Sequence, residues 1–178
     1  IARQEGIKNI MVSNGYINTA PLKELCRYID GANIDLKSFS ETTYQKLNGG
    51  KLQPVLDALK TYRDEGVWLE ITNLIIPGWT DKPDEIKQMC EWLASNGFTD
   101  VPLHFSRFQP QYKLSNLPPT PVNILNSAVR FAHAAGLRYV YIGNVPGSGG
   151  DDTVCPVCHE KVIERTGVTV TSNKITEG

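Results

Sequence analysis

Short apolar or β-branched runs alternate along the chain with segments whose apolar residues recur three and four apart. The runs occupy residues 7–12, 32–36, 68–76, 101–105 and 138–142, and the helical patterns occupy 21–29, 52–65, 83–96 and 121–135. Leu52, Val55, Leu56 and Leu59 make one apolar helix face, and Ile86, Met89, Trp92 and Leu93 make another. Gly31, Gly66, Gly97 and Gly136 stand between a helical pattern and the next strand as helix stops. Pro21, Pro83 and Pro121 stand near helix starts, where a missing N–H costs nothing. Repeated strand, helix and strand, with nearly continuous apolar strands, predict an α/β fold with a parallel sheet covered by helices. Five strands with right-handed crossovers fit an open doubly wound sheet or an arc of a barrel. In either, ligands bind beyond the carboxyl ends of the strands.

Those ends are where the polar residues collect. The first strand runs into Ser13-Asn14-Gly15-Tyr16, the second into Asp35-Leu36-Lys37, and the third into Asn73-Leu74-Ile75-Ile76-Pro77-Gly78. The fourth ends in His104-Phe105-Ser106-Arg107, and the fifth in Gly143-Asn144-Val145. The opposite connections, such as Glu65-Gly66 and Asn96-Gly97, are plain turns. Residues 1–6 read as the end of a helix and its glycine stop, so the pattern is expected to begin in mid-fold. The pattern changes after residue 147. A glycine- and aspartate-rich linker leads to Cys155-Pro156-Val157-Cys158 and a short strand-like stretch over 161–170. The expected organisation is therefore a β/α part over 1–147 and a linker with its tail over 148–178.

Composition narrows the function classes. A net charge of −1 and the absence of a long basic run give no signature for nucleic acid or an anionic membrane. No apolar run approaches membrane-spanning length and no signal peptide is visible, so the expected location is cytoplasmic. The four cysteines form no disulfide framework, and Cys26 and Cys90 lie singly in helical patterns as small hydrophobes.

Asp35 and Lys37 lie two apart, so at an extended strand end they point the same way. They could hold ribose hydroxyls and a carboxylate, or form an ion pair closing the sheet's rim. His104 is a strand-end histidine with either a structural or a chemical role. Asn14-Gly15 reads equally as a tight turn. No nucleophile–base pair stands out, so no catalytic residue is assigned. Cys155 and Cys158 have the spacing of a metal knuckle. They are either half of a four-ligand site or an unmetallated pair.

Taken together, Ser13-Asn-Gly15, Asp35-Leu-Lys37, Ile76-Pro-Gly78 and His104 resemble the activating enzymes of glycyl-radical proteins, such as pyruvate formate-lyase activating enzyme. These are radical S-adenosylmethionine (radical SAM) enzymes. The strings over 33–39, 68–72, 104–108 and 139–147, with the Cys155/Cys158 pair, are similar to the radical enzyme of the AmmeMemoRadiSam system. The resemblance implies a partial (β/α) barrel of the radical SAM type, truncated at its N-terminus, with parallel strands and outer helices. The family's cluster-binding CxxxCxxC and its GGE-type motif both lie upstream of anything present here. The resemblance thus implies a protein that cleaves S-adenosyl-L-methionine reductively at a [4Fe-4S] cluster whose ligands lie outside this chain. The resulting radical abstracts a substrate hydrogen.

By position, Ser13 and Asn14 would border the methionine end of the cofactor, Asp35 the ribose, and Lys37 the carboxylate. Backbone near Leu74 would lie along the adenine, and His104 near the ribose. Val12 stands where the activases carry an acidic residue. The resemblance also implies a protein or peptide substrate, and flavodoxin or ferredoxin as reductant. Cys155 and Cys158 would then be half of a zinc or auxiliary iron–sulfur site, completed by cysteines near the family's N-terminus. Alone, this chain is expected to be an inactive oxidoreductase fragment. The alternatives are a non-catalytic scaffold with a zinc knuckle, or a lyase using Lys37 as a Schiff-base nucleophile.

Overall fold

The computed structural model describes residues 1–167 and 169–176. Parts of the expected tail, Val168 and residues 177–178, lie outside the described residues. Five parallel strands follow one another in sequence order, β1 (Ile10–Ser13), β2 (Gly31–Asp35), β3 (Trp68–Ile75), β4 (Leu103–Arg107) and β5 (Val140–Gly143). A doubly wound sheet reverses its strand order, and this one does not, so the architecture is the barrel arc. The chain divides into two compact units, Ile1–Asn73 and Leu74–Gly178.

In the first unit, α1 (Thr19–Cys26) and α3 (Leu52–Asp64) pack against each other. Leu22 and Cys26 of α1, and Val55, Leu56, Leu59 and Tyr62 of α3, are buried. Each large side chain so buried contributes about 1.5–3 kcal/mol. Between β2 and α3 lies a segment the apolar pattern did not predict. It is a short helix, α2 (Glu41–Thr43), running into a π-helical turn at Tyr44–Asn48. Ser40 Oγ accepts from the Thr43 N–H, and Glu41 Oε2 accepts from the Leu52 N–H at 2.9 Å. The second bond satisfies an orphan donor at the start of α3, whose own N-cap, Lys51, provides no side-chain acceptor.

Two sequence expectations change here. Gly31 is not a helix stop; α1 ends at Cys26 and Gly31 opens β2, where a Cβ would come within 3.4 Å of the Trp68 carbonyl oxygen. The strands are also not apolar on both faces. In β3, Leu69, Ile71, Asn73 and Ile75 are buried, whereas Glu70, Thr72 and Leu74 are only half-buried and Trp68 is exposed. Cross-strand register sets Asn33 beside Glu70 and Asp35 beside Thr72, and Thr72 Oγ1 donates to Asn33 Oδ1 at 2.9 Å. One face of this sheet is therefore polar.

In the second unit, α4 (Pro83–Ser95) and α5 (Val122–Ala134) pack on each other. Ile86, Met89, Cys90 and Leu93 are the buried face of α4. Trp92, expected on that face, lies at its margin and stacks on Phe98 at 5.7 Å. β4 and β5 pair with His104 beside Tyr141. The tail forms a separate antiparallel sheet of β6 (Thr153–Val154), β7 (Lys161–Thr166) and β8 (Thr169–Asn173), with β7 in the middle.

Candidate functional site

At the carboxyl end of β2 the backbone is held from three directions. The Leu36 N–H donates to the Thr72 carbonyl at 2.9 Å, and Asn73 Nδ2 donates to the Leu36 carbonyl at 2.7 Å. The Lys37 N–H donates to the Tyr44 hydroxyl at 3.4 Å. Lys37 cannot slide along the strand without breaking these bonds. Its Nζ donates to Asp35 Oδ2 at 2.8 Å, so the two predicted residues do converge. The side chains of residues two apart thus meet in an ion pair at the strand's exit, as extended geometry requires.

Lys37 and Asn14 both line a cavity of about 340 Å³ whose other walls are Tyr16, Tyr44, Asn48, Gly49 and Gly50. The β1 exit is built by local bonds. The Gly15 N–H donates to Ser13 Oγ at 3.2 Å and the Tyr16 N–H to Asn14 Oδ1 at 3.0 Å. Gly15 has φ +67°, and a Cβ there would sit 2.7 Å from Ile34 Cγ2. The expected Asn-Gly turn is thus also a point of close packing. At Gly50 a Cβ would meet the Tyr16 ring at 3.1 Å, so glycine keeps the cavity open.

Sequence reasoning missed Tyr44, Asn48, Gly49 and Gly50. The only sequence signal was the Asn48-Gly49-Gly50 run, which reads as a turn. π-helical turns are frequent at functional sites. Burial and the nearby Asp35 charge push the Tyr44 phenol up to about 12, against the Lys37 N–H, so it stays a neutral hydroxyl. Asn73 is also buried, and its Oδ1 has no hydrogen-bond partner.

The remaining predicted residues belong to the second unit. The Leu74 carbonyl accepts from Thr80 Oγ1 at 2.8 Å, which in turn accepts from the Ile76 N–H, closing the loop over 76–80. The His104 ring stacks on Tyr141 with centroids 5.0 Å apart, and the Tyr141 hydroxyl is hydrogen-bonded to Thr153 Oγ1 at 3.1 Å. Cys155 and Cys158 are free thiols. Hydrogen bonds from the Cys158 and Val157 N–H groups, and then from the Cys158 side chain, draw the Cys155 thiol below its ordinary value.

Among the described residues no group of three or more histidine, cysteine or acidic side chains could hold a metal. Burial pushes both the Cys26 and the Cys90 thiols up, Cys90 to about 12, so neither is poised as a thiolate ligand. A [4Fe-4S] cluster therefore does not fit the residues present. The Lys37 cavity, at about 340 Å³, lies in the usual volume range for small-molecule sites.

Residues 1–93 match the sequence profile of the radical SAM superfamily. The uncharacterized protein MJ0808 of Methanocaldococcus jannaschii is 44% identical over 93% of this chain and 49% of its own length. Pyruvate formate-lyase 1-activating enzyme of Escherichia coli is 24% identical over 66% of this chain and 52% of its own. The chain thus spans about half the length of these curated relatives. In three dimensions it resembles a domain of pyruvate-formate lyase-activating enzyme from Bacteroides vulgatus, with TM-score 0.69 and 19% identity over 80% of this chain and 84% of that one.

Proposed function

Because the chain belongs to the radical SAM superfamily, we propose that it is the cofactor-holding part of a longer oxidoreductase. The whole protein cleaves S-adenosyl-L-methionine reductively at a [4Fe-4S] cluster and takes a hydrogen atom from a protein or peptide substrate, as a glycyl-radical activase does. The observation that carries this reading is the Lys37 ammonium, oriented by Asp35 on the wall of a rim cavity shared with Asn14.

In this assignment Lys37 binds the cofactor carboxylate, and Asp35 orients Lys37 and accepts from ribose hydroxyls. Ser13 and Asn14 border the methionine end, and Tyr44 fixes the backbone from which Lys37 projects. The family resemblance gives the Leu74 backbone a place along the adenine and His104 one near the ribose. Residues 1–147 form the barrel part and 148–178 an appended tail. Cluster ligands come from protein outside residues 1–178, and the electron from flavodoxin or ferredoxin in the cytoplasm. No helix among the described residues is long and apolar enough to cross a membrane, which is compatible with that setting.

The test is anaerobic reconstitution of the full-length protein with iron and sulfide, followed by reduction and measurement of methionine and 5′-deoxyadenosine. Formation of both is the expected result, and residues 1–178 alone should form neither. A full-length protein that carries its cluster yet neither binds nor cleaves the cofactor overturns the reading.

A further inference from the structure

The tail holds a pair of free cysteines, Cys155 and Cys158, that the proposed cofactor site does not use. Its three-stranded sheet has almost no core. From Thr153 to Thr176 no described residue is buried, and Val154, Val157, Val170 and Ile175 are exposed. Polar ties hold its base. Asp152 Oδ2 pairs with Lys161 Nζ at 2.7 Å, Asp152 Oδ1 accepts from the Arg165 N–H at 2.8 Å, and Arg165 donates to Thr153 Oγ1. A sheet this small normally needs a covalent or metal staple to persist.

The connection between β6 and β7 has the form of such a staple. The Cys155 N–H donates to the Glu160 carbonyl and the His159 N–H to the Cys155 carbonyl, each at 2.9 Å. His159 turns the chain in the left-handed region, at φ +62°. A knuckle of this kind gathers two thiolates on one metal and offsets their charge with backbone N–H groups.

The register of β8 shows where the rest of a site belongs. Asn173 lies opposite Ile163, and the Lys174 N–H donates to the Val162 carbonyl at 2.8 Å. The chain therefore leaves the sheet beside the first residues of β7, next to the knuckle. Residues following β8 reach the thiols with no long connection, whereas N-terminal cysteines would have to come from a distant part of the sequence.

We propose that the tail is half of a zinc ribbon, in which Cys155 and Cys158 are two ligands of a structural Zn²⁺ and residues following β8 in the longer protein supply the other two. Both thiols lose their protons to solvent as the metal binds, and no redox step is involved. The inference is independent of how the first unit binds its cofactor.

Metal content of the full-length protein tests it, measured by mass spectrometry beside S-adenosyl-L-methionine affinity as a check on folding. We expect one equivalent of zinc, lost in Cys155→Ser/Cys158→Ser and lost when the full-length protein is shortened to end at Gly178, with cofactor affinity unchanged. Cys158→His should keep the metal, and its cobalt form should show weaker thiolate charge transfer than the parent. Zinc retained by the double variant, zinc retained after shortening, or iron in place of zinc would each overturn the proposal.

Discussion

Lys37 Nζ lies 2.8 Å from Asp35 Oδ2, and both groups stand at the exit of β2, about one-third exposed. An exposed ion pair contributes little to folding. Its value is in orientation, because it aims a cation at a cavity whose walls are otherwise neutral.

In the full-length protein, Asp35→Ala should weaken S-adenosyl-L-methionine binding by about 1–3 kcal/mol, the scale of a lost charge-assisted hydrogen bond. Lys37→Met should do at least as much. Calorimetry on folded variants measures this, and unchanged affinity for both would remove the pair from the site.

Gly15 and Gly66 both have positive φ, but only Gly15 is crowded. Gly66→Ala should cost about 1–2 kcal/mol from backbone strain alone. At Gly15 the same change adds a contact with the stiff Ile34 side chain, so Gly15→Ala should cost about 2–4 kcal/mol. Urea unfolding of the two variants compares them directly, and equal losses would contradict the packing argument.

The Tyr44 phenol, raised from 10.0 to about 12, gives a pH dependence of known sign. Because its folded value is the higher one, its contribution is complete below the ordinary tyrosine value and is lost as pH rises through about 12. Tyr44→Phe should lower stability at neutral pH by about 1 kcal/mol, the value of the bond from the Lys37 N–H. It should also flatten part of the alkaline decline. Tyr62 and Cys90, also raised, decline equally in parent and variant. Parallel alkaline curves for parent and variant would count against the assignment.

Asp152 runs the other way. Lys161 and then the Arg165 N–H draw its carboxyl below the ordinary 3.8. The tail sheet should therefore keep this contribution above that value and lose it as pH falls through the lowered one. Asp152→Asn should remove it at neutral pH. Amide exchange at Arg165 should then speed up by about tenfold, the scale of a lost charge-assisted bond. Exchange unchanged by the substitution would show that the sheet does not depend on this carboxylate.

Much of the fold was legible because its determinants are local. Apolar spacing in α3 and α4 reports which helix face meets a sheet, whatever the sheet is. Strand exits such as Asp35-Leu36-Lys37 follow from period-two geometry, and the observed ion pair needs nothing more. In α4 the buried face is Ile86, Met89, Cys90 and Leu93, the i, i+3, i+4 and i+7 positions, and Trp92 falls off its centre and stacks on Phe98.

What only the tertiary structure decided depends on contacts distant in sequence. Asn33, Glu70 and Thr72 share a polar sheet face only because β2 and β3 pair in one register, and no residue's neighbours in sequence encode that. The cavity around Lys37 exists because the π turn carries Tyr44 back to the Lys37 backbone. The place where β8 ends, beside the Cys155 knuckle, likewise follows from antiparallel pairing across a hairpin. The sequence by itself determined which residues could do chemistry, since that follows from side-chain type and local spacing. Folding decided which of them meet, because strand register and chain return are set by the summed packing of the whole unit.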